Sequence, residues 1–427
     1  MTYHFPPDSS VGGLRWAGIA KYLVRLGWEV SVLTAAPAVG NGAGGGAQVE
    51  SCPRLWTLVD CYQGLRRSRG SSTSTVHLAG PSASSGLLLR LRSEVAALLA
   101  FPDVGRGWVL RAALRARSLV RRFQPHVVVS SGPPHSVHVV ARIATIGRPV
   151  RWFMDFRDPW AAPLKTIWDS DPQAHIWLAR ALFPRLERLM IGAAQGVIAS
   201  TAQLAEALAA QYPDAAVACV PNGVDPEWLP PPAPDPYPGL SIAYAGSLYA
   251  GRDLGPVVRA LRIFFDRYPT AAQSGSKLRV AGQIEALQSL AFAQAVAAAG
   301  LDQHVEVLGP LPRVEALKLV SRSRLAIVLA QHQELQIPAK LYESVALGIP
   351  TLVVAAANSA AGVEGKHLGA AVRDAGDVEG IAGLLEHVWR DGSRQRAPSM
   401  MPITYDAIAP RVHELFADHR SEPRACG

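Results

Sequence analysis

One carboxylate in the stretch IPAKLYESVALGIPTLVV, residues 337–354, stands where chemistry has to account for it. Pro338 near a first helical position, Ala and Leu behind it, and Gly348-Ile349-Pro350 at the far end mark a short helix. The run Thr351 to Val354 then reads as a buried strand. On that helix Tyr342, Val345 and Ala346 share an apolar face, and Glu343 lies beside it, where a carboxylate needs a partner. It is either a surface glutamate or an acceptor for two hydroxyls of a ribose.

Other segments place polar groups at the ends of strands. PPDSSVGGLRW, residues 6–16, precedes a helix, and Gly12-Gly13 would let the backbone approach a phosphate while the helix N-terminus supplies N–H groups. Glycines before a helix are also ordinary turn residues. YAGSLYAGRD, residues 244–253, repeats the pattern with Gly246 and Ser247, and Arg252 can fork two oxygens of a diphosphate. VEVLGPLPRVEAL, residues 305–317, offers Gly309 and its flanking backbone to a base edge, or is simply a strand, turn and helix. His135 in SGPPHS, and Asp155 with Asp158 in DFRDPW, end adjacent strands and suit orientation of a hydroxyl or stabilisation of an oxocarbenium-like transition state. Their alternatives are a satisfied loop histidine, an ion pair with a neighbouring arginine and a turn residue before Pro159. Asp169-Ser170-Asp171 imitates a metal motif but lacks a preceding apolar strand, so no metal is expected.

The elements that must hold these residues alternate between apolar strands and amphipathic helices, the grammar of parallel α/β units. In the first half a helix is expected over 18–26, strands over 29–34, 126–131, 150–155 and 196–200, and helices over 137–146 and from about residue 202. Loops are expected at 40–47 and 70–86, which are rich in Gly and Ser. PPPAPDPYP, residues 230–238, can form no helix and reads as an extended connector. Beyond it strands are expected at 241–245, 277–281, 305–308, 325–329 and 351–354, separated by helices. The expected division is a first domain at 1–224, a linker at 225–239, a second domain at 240–402, and a C-terminal helix and tail at 403–427.

Length and composition suit a globular protein of more than one domain: 427 residues, of which 49% are hydrophobic. No apolar run reaches the roughly 18 residues that span a bilayer, and no basic-then-apolar leader opens the chain, so a cytoplasmic location is expected. Four cysteines without a CxxC pair argue against a disulfide framework or structural zinc. The net charge of +8 is concentrated between Arg90 and Arg122, which carries eight arginines against Glu94 and Asp103. Drawn as a helix, its Trp108 to Phe123 part has one apolar face, while Leu110 and Leu114 fall among the arginines. That pattern suits either an anionic membrane surface or a solvated face with two exposed leucines. Nucleic acid is not an expected partner, because aromatic interleaving and binding motifs are lacking.

Taken in order, PPDSSVGGLRWAGIAKYL, SSGPPHSVHVVA, WFMDFRDPW, VPNGVD, AYAGSLYAGRD and IPAKLYESVALGIPTLV resemble family 4 of the retaining nucleotide-sugar glycosyltransferases. The resemblance covers nearly the whole chain and rests on the order and spacing of the motifs. It implies the GT-B fold: two facing Rossmann-like domains with a cleft between them, and a C-terminal helix, near Tyr405 to Phe416, crossing back to the first. It implies that the second domain binds a UDP or GDP sugar, that Glu343 takes the ribose hydroxyls, and that the first domain binds a sugar, a lipid-linked or a small-molecule acceptor. Pro338 and Lys340 then begin the helix that faces the diphosphate, unless Lys340 is a surface lysine. No cofactor is implied. Retention in this fold is assigned to same-face attack, with the departing phosphate helping to take the proton.

The chain also departs from the family pattern. Many members carry a second glutamate eight positions before the first, where Leu335 stands here between Glu334 and Gln336. A lysine usual a few residues after the Arg252 position is replaced by Asp253, Leu254 and Gly255. Only Met1 to Phe5 precede the first proline-rich loop, which suggests a start upstream. A sugar-nucleotide epimerase and a non-catalytic sugar-nucleotide-binding partner therefore stand beside envelope or exopolysaccharide transfer as readings.

Overall fold

The computed structural model describes residues 1–6, 11–37, 45–56, 103, 105–161, 177–231, 233, 235–249, 251–391 and 401–418. The chain divides into two compact units, residues 1–222 with 405–427, and residues 223–404.

The first unit begins with α1 (Val11–Arg25) and two short parallel strands, β1 (Ser31–Thr34) and β2 (Gln48–Ser51). Helix α2 (Arg106–Phe123) follows, then β3 (Val127–Gly132), α3 (Ser136–Thr145), β4 (Arg151–Phe156), α4 (Trp177–Ile191), β5 (Gly196–Ala199), α5 (Ala202–Gln211) and β6 (Val217–Cys219). Strands β3, β4, β5 and β6 form a parallel sheet in that order. Thr2 forms an isolated parallel bridge with Ser131. Thr2 N donates to Leu33 O of β1, and Ser131 N of β3 donates to Met1 O, so the two sheets are joined through the chain start. The helices hold because their apolar faces pack inward: α2 buries Trp108, Ala112, Ala116 and Leu119, the stripe expected from the sequence.

The second unit runs β7 (Ser241–Ala245), α6 (Gly255–Arg267), a one-turn α7 (Pro269–Gln273), β8 (Lys277–Ala281), α8 (Ala286–Ala298), β9 (Val305–Gly309), α9 (Arg313–Ser321), β10 (Leu325–Leu329), α10 (Ala339–Ala346), β11 (Thr351–Val354), α11 (Ala360–His367), β12 (Ala371–Arg373) and α12 (Val378–Asp391). Its six parallel strands stand in the order β12-β11-β10-β7-β8-β9. That is the doubly wound arrangement, with its topological switch point between β7 and β10. The central strands are apolar because both faces are covered: every residue of Leu325–Leu329 and of Thr351–Val354 is buried.

Helix α13 (Tyr405–Ala417) returns to the first unit and packs on α1. Tyr405 lies flat against Gly18, where any β-carbon would collide with its ring. The boundaries differ from those read in the sequence: the chain leaves the first unit after Asn222, and the proline-rich segment belongs to the second. Tyr237 explains this, since its N–H donates to Arg322 O and its ring lies under the guanidinia of Arg279 and Arg322, at 3.8 and 4.2 Å. Proline content forbids a helix but does not prevent packing. Cys219 is disulfide-bonded, and Cys52 is free and buried. Most of residues 40–47, all of 70–86, and Arg90, Arg92 and Glu94 lie outside the described residues.

Candidate functional site

In the second unit the groups read from the sequence gather beyond the carboxyl ends of the strands. After β7, Gly246 N donates to Ala281 O, and its missing side chain leaves room for the Tyr244 ring, 2.8 Å from where a β-carbon would be. Tyr244 in turn donates to the carbonyl of Ser247 at 2.9 Å, and burial pushes its hydroxyl up to about 12. Gly309 ends β9 with φ of 69°, in the left-handed region that favours glycine, and its carbonyl accepts from Gly282 N. Gln331, just past β10, ties the switch point together: it accepts from Asp253 N at 2.9 Å and donates to Asp253 O at 2.8 Å. That reciprocal amide pair fixes the loop that carries Arg252.

Arg252 lies over the Tyr249 ring at 4.4 Å, and its buried Nε has no hydrogen-bond partner among the described residues. Pro338 caps α10, and the helix buries Leu341, Tyr342, Ser344 and Val345, leaving Glu343 at the edge of the packed face with 16% of its side chain exposed. Oε1 of Glu343 accepts from Nη2 of Arg313 at 2.7 Å. Arg313 opens α9 and was not singled out in the sequence. It follows a glycine and two prolines, so only the turn geometry brings it across to α10. Lys340 has its pKa lowered by burial; Glu343 works against that shift, while Arg252 and Arg313 add to it. Lys340 thus lies within electrostatic reach of one carboxylate, Glu343, and of two arginines.

In the first unit Asp155 is completely buried at the end of β4. Its Oδ1 accepts from Nε and Nη2 of Arg15 at 3.2 and 3.0 Å, and its Oδ2 from Trp16 Nε1 at 2.7 Å and Ser131 Oγ at 2.6 Å. Arg15 also donates to Val220 O, Pro221 O and Asn222 Oδ1, so this pair fastens α1 to β4 and to the end of the first unit. Asp158 is partly exposed. His135 is buried; its ring stacks on Trp160 at 5.1 Å, and its Nδ1 lies 3.4 Å from Nε2 of His138. Asp103 accepts from Ser136 N and Gly105 N at the start of α3, and burial raises its pKa.

Gly12 and Gly13 stand in the first turn of α1. A β-carbon at Gly13 would meet the backbone of His4 and Phe5 at 2.8–2.9 Å, and one at Gly12 would strike the guanidinium of Arg157. Arg157, the middle of DFRDPW, donates to the carbonyls of Gly132 and Pro133, and burial lowers its pKa. Close packing therefore accounts for both glycines. An arginine directly after a strand was the signal that could have marked Arg157. Asp169 and Asp171 lie outside the described residues, and no group of three or more potential metal ligands occurs among the described ones.

Residues 12–223 match the family described as Glycosyl transferase 4-like domain. No curated protein matches the chain. Among solved structures, the chain is similar to HepE of Anabaena in complex with UDP and glucose, at 13% identity and a TM-score of 0.59, covering 97% of this chain and 98% of that one. It is also similar to sucrose-phosphate synthase of Thermosynechococcus elongatus, at 12% identity and a TM-score of 0.59, covering 97% and 94%. A putative UDP-N-acetylglucosamine 2-epimerase of Listeria monocytogenes matches at 12% identity and a TM-score of 0.53, covering 98% and 95%. These likenesses establish the GT-B architecture, and residues 12–223 carry the Glycosyl transferase 4-like domain.

Proposed function

We propose that the protein transfers a hexosyl group, with retention and without a metal, from a UDP or GDP sugar to an acceptor in envelope or exopolysaccharide assembly. The observation that carries this reading is the gathering of Arg252, Arg313 and Glu343 about Lys340, with Glu343 paired to Arg313, at the open end of a doubly wound sheet. A nucleoside diphosphate supplies the negative charge this cluster lacks. Glu343 then accepts ribose hydroxyls through Oε2, which has no hydrogen-bond partner among the described residues, while Arg313 holds Oε1. Arg252 and Lys340 take the diphosphate, with Gly246, Ser247, Gly309 and the α10 N-terminus at Pro338 lining its approach. HepE, solved with UDP-glucose, supports UDP as the donor nucleotide. His135 and Asp158 are the candidates for acceptor and sugar contacts, and the saturated Asp155 serves by positioning α1.

The acceptor side is proposed to lie at an anionic membrane. No helix among the described residues is long and apolar enough to cross one. Leu110 and Leu114 are nevertheless 70% and 66% exposed on α2, which bears Arg111, Arg115, Arg121 and Arg122. Binding of the full chain to anionic vesicles, weakened by salt and by Leu110→Ser with Leu114→Ser, tests that part.

Incubation of the protein with UDP and GDP sugars and lipid extract tests the whole. Release of nucleotide with a glycosylated product, unaffected by a chelator, is expected. A donor returned as its epimer, or bound without turnover, replaces this reading with an epimerase or a binding partner.

A further inference from the structure

The amino ends of the first unit's strands hold a cavity that the donor and acceptor readings leave unused. Its volume is about 380 Å³, and it is lined by Arg142 and Thr145 of α3, the turn 147–150, Trp152, and residues 193–195 after α4. Trp152 stands near the start of β4 and Asp155 near its end, so the cavity is at the opposite edge of the sheet from Asp155. The turn is held on both sides of Arg148: its N–H donates to Thr145 O at 3.0 Å, and its carbonyl accepts from Val150 N at 2.9 Å. Gly147, with φ of 67°, makes the turn, and Pro149 fixes the φ that follows. On the facing wall Ala193 and Ala194 are too small to fill the space. Trp152 spends its one side-chain N–H on Ser130 Oγ at 2.8 Å, so its ring is an apolar wall.

Both arginines line this cavity without a counter-charge. Neither side chain has a hydrogen bond or an ion pair among the described residues, and Nε of Arg148 is shut off from solvent with no partner. A freely solvated arginine turns all its N–H groups to water; this one keeps an N–H unsatisfied, a cost that a ligand taking the rest of the fork can offset. We propose that the cavity between Arg142 and Arg148 binds an organic phosphate monoester. Two guanidinium forks offer more N–H groups than the two oxygens of one carboxylate can fill, whereas the three terminal oxygens of a phosphate monoester can serve both. The volume leaves room for the ester group beside the phosphate. The rim suits an apolar continuation, since Ile143 and Ile146 are exposed at and just past the end of α3, and Arg117 of α2 donates to both their carbonyls at 3.0 and 3.2 Å. A soluble glycerol or sugar phosphate presents this chemistry, and so does a lipid whose headgroup is a bare phosphate. The site stands whether or not the chain transfers sugars.

The test is titration calorimetry of the full chain with glycerol 3-phosphate, with glycerol as the blank, in wild type, Arg142→Gln, Arg148→Gln, the double variant and Arg252→Ala. Saturable binding is expected in wild type and in Arg252→Ala, about tenfold weaker in each single variant, and absent in the double variant. Both arginines are half-buried, so the urea midpoint should hold in every variant; if the double variant unfolds early, the two single variants decide. Co-sedimentation with phosphatidylcholine vesicles carrying either phosphatidic acid or phosphatidylserine then separates the sources. A preference for phosphatidic acid that the arginine variants lose identifies a lipid headgroup, and saturable binding of glycerol 3-phosphate without that preference identifies a soluble phosphate. Both results uphold the site. Failure of wild type in both arms, equal affinity in wild type and the arginine variants, or loss of binding in Arg252→Ala alone overturns it.

Discussion

Two networks, one in each unit, handle their polar groups in opposite ways. In the first, Asp155 has all its hydrogen-bonding capacity filled by Arg15, Trp16 and Ser131, and the histidines are chained to Ser130 and Trp152. In the second, Arg252 and Arg313 each keep a buried Nε without a partner among the described residues, and Lys340 is pressed toward neutrality. A filled network spends its charge on holding elements together. An incompletely compensated one holds a place for a ligand of opposite sign. Asp155 and Arg15 are accordingly read as a positioning pair, and Arg252, Arg313 and Lys340 as the proposed grip on the donor.

The strongest way to break this contrast is Asp155→Ala. Removing one partner of a buried pair strands the Arg15 guanidinium and should cost about 3–5 kcal/mol of stability, read as a lower urea midpoint for unfolding. An unchanged midpoint with lost activity would move Asp155 into the chemistry. Next, Glu343→Ala should weaken nucleotide-sugar binding about tenfold to a hundredfold, since a charge-assisted hydrogen bond is worth about 1.5–3 kcal/mol. It should leave the urea midpoint nearly unchanged, because Glu343 and Arg313 are both partly exposed. Wild-type affinity in titration calorimetry removes Glu343 from the site. Arg252→Ala should lower affinity for UDP or GDP by a smaller factor, and more than for the bare nucleoside. Equal losses would assign the side chain to the base or ribose.

The smallest expected effect is a proton count. Lys340 has a folded pKa below its ordinary 10.5 because burial penalises the ammonium. Between the two values the unfolded chain binds the proton more tightly, so the sign of linkage makes stability rise with pH through that window. An anion beside Lys340 restores the ammonium and raises its pKa, so UDP should bind with uptake of a fraction of a proton in the same alkaline window. Calorimetry in buffers of different ionisation enthalpy measures this, and Lys340→Met should abolish it. Uptake that persists in the variant would assign the proton elsewhere.

The contrast between the units also shows where sequence reading stops. Strands at 241–245, 277–281, 325–329 and 351–354 were legible to the residue, because uninterrupted β-branched and aliphatic runs between helices have one home, the middle of a covered parallel sheet. Strands β2, β6 and β12 were not anticipated: they are three or four residues long and each holds a single β-branched residue. Glu343, Arg252 and Lys340 could be picked out because each sits at a fixed offset from a strand or helix end. Arg313 and Gln331 could not, since their partners lie 30 and 78 positions away in the chain.

By itself the sequence determined most of the strands and helices, their alternation in parallel α/β units, and that polar groups collect after the strands, because those properties follow from local period and from turn chemistry. Only the tertiary structure decided what each group does there. It gave Asp155 to Arg15, closed the histidine pair beneath Trp160, and packed Arg157 under Gly12. It also set Arg252, Arg313 and Glu343 about Lys340. The physical reason is that a side chain's charge and hydrogen-bonding capacity are constants of its type, whereas the share already satisfied depends on neighbours that folding brings from far along the chain.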